Sequence, residues 1–466
     1  MRLLRQITEI NLIALSCAVA LGGSFLSAST TSAGPCTAFQ EVDQSAQVDG
    51  ADGVAEGDFD LQLQLDSFHS VWQTIADSHW DEALIQEKWV PLKEPYLNRI
   101  EQTKSQGDVR KILREMIGAL ELSHYSIIDS SAYQSIKGSE ETGDGTAGMV
   151  FRSTSDGVVV SQVRPQSPAA QAGIEPGWIL KKIGKQDLDE LTAKIEEAAR
   201  GPIRFETLVG LTLADLASGT SGKPRKFLFV DRDNNDRELE LDFAENPGDL
   251  INFGNLPAMK IESVAKTLPG GIGYYWFNAF FNPVKLMPEF RQVIRDPNHN
   301  TGMIIDLRGN IGGIGGMTMG MASEFSNQQT ALGVMNMRGT ELKFFVNANI
   351  DPVTAPLAVL VDECSISSAE ILSGGLQDLK LARVFGNRTA GLALPSVITK
   401  LPNGDGFQYA MANYLSASGK SLELDGVMPD ELIPLTRTAL LTDPDPVLTR
   451  AIQWIYQQKE RPSGSK

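Results

Sequence analysis

Two short apolar runs in the second half of the chain constrain its fold more than any other feature, because each stops abruptly in a turn of small residues and then passes into a helical pattern. Met303-Ile304-Ile305-Asp306-Leu307 leads to Arg308-Gly309-Asn310-Ile311-Gly312-Gly313, and Leu357-Ala358-Val359-Leu360-Val361 leads to Ser365-Ile366-Ser367-Ser368-Ala369-Glu370-Ile371. A third run, Ala382-Arg383-Val384-Phe385-Gly386, follows. Strands that are apolar on both faces must be covered on both faces, and intervening helices supply the cover. An α/β domain is therefore predicted over residues 255–457.

Upstream the periodicity differs. Leu61, Leu65, Phe68, Trp72 and Ile75 recur at helical spacing, as do Val109, Ile112, Leu113, Met116, Ile117 and Leu120, each set marking one apolar helix face. Residues 60–140 read as a helical domain. Its last helix runs out at Gly118-Ala119-Leu120-Glu121-Leu122 and delivers Ser123 and His124 to the next turn. A Gly/Thr/Ser/Glu-rich stretch from Gly138 to Gly145 then leads to a strand-rich segment, 145–245. Within it Asp231-Arg232-Asp233-Asn234-Asn235-Asp236, with Asp242 twelfth, imitates a calcium loop, but Asp236 stands where the sharp turn requires Gly. Strand-like flanks on both sides favour a polar hairpin turn, and no metal site is expected.

At 466 residues the chain has room for about three such domains. Arg2 and Arg5 precede a broken apolar stretch that becomes small and polar by Ala33, so residues 1–33 read as a signal peptide cleaved after Ala28 or Ala33, with an uncleaved anchor as the alternative. Asn11, Ser16, Gly22 and Gly23 interrupt the stretch too often for a stable membrane span. Residues 34–59 are acidic, with no Lys or Arg, and read as a solvated linker. Beyond the signal only Cys36 and Cys364 remain, too few for a disulfide framework. The net charge of −17 would repel a phosphate backbone, so no nucleic acid partner is expected. Oligomeric state is not legible.

Ser367 stands where an apolar strand ends and a helix begins, so first-turn amides and the positive helix end face it. A helix-capping serine would occupy the same place. Gly309, Gly312 and Gly313 let backbone amides approach a reacting carbonyl oxygen. Cys364 reads as a packed core thiol, and His69, His79 and His299 as surface or satisfied core residues.

Together, Asp306-Leu307-Arg308-Gly309-Asn310-Ile311-Gly312-Gly313, the Ser365–Ile371 run and Gly426-Val427-Met428-Pro429-Asp430 resemble the C-terminal processing (tail-specific) serine peptidase family. Ser167-Pro168-Ala169-Ala170-Gln171-Ala172-Gly173 and Pro176-Gly177-Trp178-Ile179-Leu180 resemble a PDZ domain, whose carboxylate-receiving loop would be Thr146 with Ala147, Gly148, Met149 and Val150. The resemblance implies a multi-domain α/β protein with an N-terminal helical domain, a PDZ-like β-rich domain and an α/β crotonase-like peptidase core. It places the nucleophile on Ser367, with Ser365 as local runner-up.

One departure matters. The best-known branch takes its general base from a Lys in a Phe-Gly-Lys-Gly loop, but the matching residues here are Thr389-Ala390-Gly391-Leu392-Ala393, and neither Lys380 nor Lys400 falls in that loop. Ser123-His124 resembles instead the Ser-His pair of the tricorn-core branch, and Glu423-Leu424-Asp425-Gly426-Val427-Met428-Pro429-Asp430 its Glu-x-x-Gly-Val-x-Pro-Asp run, with Asp425 a competitor for Glu423. The implied roles are Ser367 as nucleophile, His124 as base, and Glu423 fixing the imidazole directly or through Ser123. Gly312 or Gly313 with the Ser368 amide would form the oxyanion hole. The expected activity is a secreted or periplasmic serine endopeptidase acting on peptide or protein substrates, without a cofactor. A degenerate, inactive peptide-binding protein and an esterase are the alternatives.

Overall fold

The computed structural model describes residues 59–130, 145–198, 203–256 and 258–460. The signal peptide, the linker up to residue 58 and the separating stretch 138–144 lie outside these.

The first helix, α1 (Leu61–Ser78), starts at Asp60, whose carboxylate accepts the Gln62 and Leu63 amides, and buries Phe68, Val71 and Ile75. After α2 (Lys93–Glu101), Ser105 caps α3 (Gln106–Gly118), which buries Val109, Ile112, Leu113, Met116 and Ile117. These faces pack together, but not alone: Leu394, Leu401, Phe407 and Ala410 from the far end of the chain complete the same core. The chain then reverses through Glu121 and His124, both at positive φ, into β1 (Ser126–Ile128). The helical pattern predicted to 140 thus gives way to a strand.

The middle of the chain forms an antiparallel sheet of β2 (Met149–Thr154), β3 (Gly157–Val163), β4 (Ile179–Ile183), β5 (Arg225–Val230) and β6 (Asp236–Leu241), in that order. Two helices, α4 (Leu188–Ala198) and α5 (Phe205–Leu216), precede β5, and α5 packs beside the edge strand β2. The calcium-like residues form the β5–β6 hairpin turn, with Asp231 accepting the Asp233 and Asn235 amides.

The third unit is built on β7 (Ser263–Leu268), β8 (Ile272–Phe277), β9 (Gly302–Asp306), β12 (Leu357–Val361), β13 (Arg383–Gly386) and β17 (Glu431–Leu432). β8, β9, β12, β13 and β17 run parallel, and β7 is antiparallel at one edge. All five residues of β9 and of β12 are buried; β12 is apolar throughout, and the single charge of β9, Asp306 at its end, is paired with Arg308. On one face lie α6 (Pro283–Ile294), α7 (Gly315–Ser323) and α8 (Ser368–Asp378); on the other, α9 (Pro446–Glu460) packs Val447, Ala451 and Ile455 against Ile304, Leu360 and Phe385. An antiparallel sheet pairs β10 (Thr330–Met337) with β11 (Thr340–Val346) and β16 (Ala412–Ser416). Finally, β14 (Ser396–Lys400) and β15 (Gly406–Ala410) take in β1, with Ile127 opposite Phe407. Among the described residues no helix is long and apolar enough to cross a membrane.

Candidate active site

In a parallel sheet, sites form beyond the carboxyl ends of the strands. Here the turns after β9 and β12 converge. Arg308, buried between Asp306 and Asp445, ties the glycine turn to the segment that precedes α9. At the second turn, Asp362 accepts the Gly309 and Cys364 amides, and the Ser365 hydroxyl donates to the Leu307 carbonyl. Ser365 therefore fastens the two turns together and is not free to react.

Ser367 follows at φ 56° and ψ −115°, a backbone conformation that costs about 1–3 kcal/mol and persists only where its surroundings enforce it. It is fully buried, and its hydroxyl has no hydrogen-bond partner. Ser367 stands at the N-cap of α8 in a capping-box arrangement with Glu370, but its hydroxyl makes no hydrogen bond of normal length there and is left unspent. Glu370 supplies the reciprocal half of the box, accepting the Ser367 amide at 3.0 Å.

The glycine turn closes over this residue. A Cβ on Gly312, at φ 88°, would lie 2.7 Å from the Ser367 Cβ. The Gly312 amide donates to Asn310 Oδ1 at 2.9 Å, which removes it from the expected oxyanion pair. The Gly313 and Ser368 amides have no acceptor among the described residues, and the Ser368 hydroxyl holds the two segments together through the Gly313 carbonyl at 2.9 Å.

His124 arrives from the opposite end of the chain. Its Nδ1 lies 2.7 Å from Ser123 Oγ, which donates to Glu423 Oε2 at 2.9 Å, and Glu423 Oε1 accepts the Ser123 amide at 2.9 Å. His124 Nε2 is buried and has no partner. Burial lowers the imidazole pKa to about 4 and raises the Glu423 carboxyl to about 7, against the pull of its amide and hydroxyl donors. Asp425, the competitor, instead faces solvent beside Arg388. A single strip of backbone joins the two halves: the Leu392 carbonyl accepts the Ser367 amide, and the next amide, Ala393, donates to Glu423 Oε2 at 3.1 Å. Leu392 itself is buried among Leu211, Ile366 and Ala390.

The β-rich unit docks against the same turns. Arg152, on β2, is buried against Asp362 at 2.5 Å and Glu363 at 3.4 Å, the Thr207 hydroxyl reaches the Glu363 carbonyl, and Gly210 faces Cys364. Burial pushes the Cys364 thiol well up, which suits a packed thiol. A cavity of about 190 Å³ lies between the units, lined in part by Val150, Leu211, Ile311 and Asp362. Of the four residues expected to receive a carboxylate, only Val150 reaches it. The Gly148 amide is taken by Thr146 Oγ1, and the Ala147 and Gly148 carbonyls accept the Ala169 and Arg164 amides. Arg152, Asp362, Thr389 and Glu370 escaped the sequence reading. Only Glu370 carried a signal there, as a Glu three residues after a capping Ser.

Comparison with known proteins agrees with this architecture. Residues 271–433 match the model of Peptidase family S41, and residues 65–118 that of the Tricorn protease C1 domain. A carboxyl-terminal-processing protease of Synechocystis is 26% identical over 390 residues, covering 82% of this chain and 84% of the relative. Carboxyl-terminal-processing peptidase 2, chloroplastic, of Arabidopsis thaliana is 25% identical, covering 79% and 68%. Among solved structures, the photosystem II D1 C-terminal processing protease shares the fold with a TM-score of 0.54 at 19% identity, over 83% of this chain and 96% of that one. The chain is thus a serine-type peptidase, acting on peptide or protein substrates. More particularly, it carries a Peptidase family S41 domain preceded by a Tricorn protease C1 domain.

Proposed function

We propose that the protein is an exported serine endopeptidase, secreted or periplasmic, that cleaves through an acyl-enzyme with Ser367 as nucleophile, His124 as general base and Glu423, acting through Ser123, as the orienting carboxylate. The observation that carries this reading is the continuous relay Glu423–Ser123–His124, which ends in a bare imidazole nitrogen, together with an unpartnered serine hydroxyl one backbone strip away. Hydrogen bonds between base and nucleophile are commonly unmade without substrate.

The relay also selects a tautomer. An ionised Glu423 can only accept, so the Ser123 hydroxyl points to it and Ser123 Oγ accepts the His124 Nδ1 proton, leaving Nε2 free to take the Ser367 proton. As Oγ attacks the scissile carbonyl, that proton passes to Nε2, and the Gly313 and Ser368 amides receive the oxyanion. His124 then returns the proton to the leaving amine. Hydrolysis of the ester regenerates Ser367. The relatives' names point to the carboxyl-terminal region of proteins as the place of cleavage.

The middle unit is assigned as a PDZ-like gate. Its edge strand β2 and helix α5 border a groove that here faces the Asp362–Cys364 turn, so a peptide adding beside β2 would compete with that turn. A fluorophosphonate probe and a peptide substrate test the assignment. Ser367→Ala and His124→Ala should each abolish labelling and peptide turnover, whereas Lys380→Ala and Lys400→Ala should leave both intact. Labelling that persists in His124→Ala removes His124 as the base, and peptide binding without labelling in the unmodified protein supports the inactive binder.

A further inference from the structure

We propose that Glu370 is a positioning residue for the nucleophile: one buried carboxylate that holds Ser367 in its strained conformation and fixes its distance from the Glu423–Ser123–His124 relay. The inference rests on Ser367 being the nucleophile.

Glu370 is fully buried, and no cation pairs with it among the described residues. Four donors converge on it. Oε2 accepts the Ser367 and Leu392 amides, each at 3.0 Å, while Oε1 accepts the Thr389 hydroxyl at 2.6 Å and the Gly391 amide at 2.7 Å. The Thr389 oxygen also accepts the Val427 amide at 2.6 Å, and among the described residues its hydroxyl proton has no acceptor other than Glu370. Every partner is therefore a donor, and the group they fit is an acceptor at both oxygens, the ionised form. Burial outweighs the pull of the four donors and leaves the carboxyl raised above its usual value, so it is the donor geometry that selects the acceptor form.

A helix cap does not require this arrangement. Capping uses one bond, to the Ser367 amide, and is worth about 1 kcal/mol, whereas burying an unpaired carboxylate costs several. The other three bonds all reach Thr389, Gly391 and Leu392, outside the helix. Leu392 returns a second contact to Ser367 through its carbonyl, and Ala393 beside it holds Glu423. Glu370 is thus the point at which the nucleophile turn and the relay strip are joined. Glu370→Gln keeps the shape but sets an amide NH2 against two of the four donors, so the strip must shift.

The test measures kcat and KM for enzyme whose active sites are titrated with a fluorophosphonate, alongside the melting temperature. Glu370→Gln should lower kcat per titrated site by about 10²-fold at nearly unchanged KM, the scale expected for a displacement of about 1 Å. Thr389→Val should lower it about tenfold, and Thr389→Ser, which keeps the hydroxyl, should match the unmodified enzyme. Were Glu370 merely structural, Glu370→Gln would reduce melting temperature and titratable sites but not kcat per site, and that result overturns the proposal. Should Glu370→Gln fail to fold, equal kcat values for Thr389→Val and Thr389→Ser overturn it in the same way. Activity surviving in Ser367→Ala would instead refute the nucleophile assignment.

Discussion

Replacing Glu423 by Gln tests whether the relay acts through the protonation state of its carboxylate. Shifting a carboxyl from 4.5 to about 7 opposes its ionisation by about 3 kcal/mol, and the His124 pKa of about 4 leaves the imidazole neutral throughout the intervening range. The acid limb of kcat/KM should therefore fall near pH 7 and report Glu423. Below that pH a protonated Glu423 donates to Ser123 Oγ, the Ser123 hydroxyl turns to His124 Nδ1, and the proton sits on Nε2, where it blocks attack. Glu423→Gln cannot satisfy the Ser123 hydroxyl and the Ser123 and Ala393 amides together, because it has one acceptor where the carboxylate has two. Its kcat should fall about 10²- to 10⁴-fold with little change in KM, and the limb near pH 7 should vanish. Stability gives an independent reading. Below pH 4.5 the carboxyl is protonated whether folded or not, and stability it contributes is lost as pH rises through about 7. The melting temperature of Glu423→Gln relative to the parent should therefore be higher at pH 8 than at pH 5. A variant with parental kcat and an unchanged limb near pH 7 would refute the relay.

Two further outcomes follow from the turns around Ser367. Arg152→Met leaves Asp362 and Glu363 buried without their cation, which should cost about 3–5 kcal/mol at neutral pH in denaturant titration. Arg152 holds the Asp362 pKa down, so that loss should shrink below about pH 4 as the carboxyl takes up a proton; a deficit independent of pH would count against it. Ser365→Ala removes the hydroxyl that links Leu307 and Asp362, and should lower the melting temperature while leaving fluorophosphonate labelling at Ser367, detected by peptide mapping.

The parts legible in the sequence are those set by local pattern. The short apolar runs within Met303–Leu307, broken only by Asp306, and Leu357–Val361 suit a covered parallel sheet, and the glycine turns and the Ser367 turn follow directly from their ends. Ser123 and His124 were legible as a pair, being adjacent. What was not legible depends on register between distant segments. Nothing near Gly312 says that Asn310 takes its amide and leaves Gly313 free, and nothing near Arg152 names Asp362, 210 residues later. Three residues, Ser126–Ile128, are too few to announce a strand, yet their pairing with Gly406–Ala410 seats the adjoining histidine. Glu370 stands three residues after a capping Ser, but nothing near it names its further partners, which lie 19 to 22 positions on, beyond a strand.

That strand pairing spans some 280 residues, and Glu423 lies 300 beyond Ser123. Such long-range closure makes the site a late product of folding. With His124 and Ser367 as the proposed base and nucleophile, a growing chain holds the first early and the second long afterwards, and the relay through Glu423 would form only once that segment has left the ribosome. On the proposed assignment, the order of synthesis would leave an incomplete chain without its relay, so the peptidase would not be armed while it is still being made.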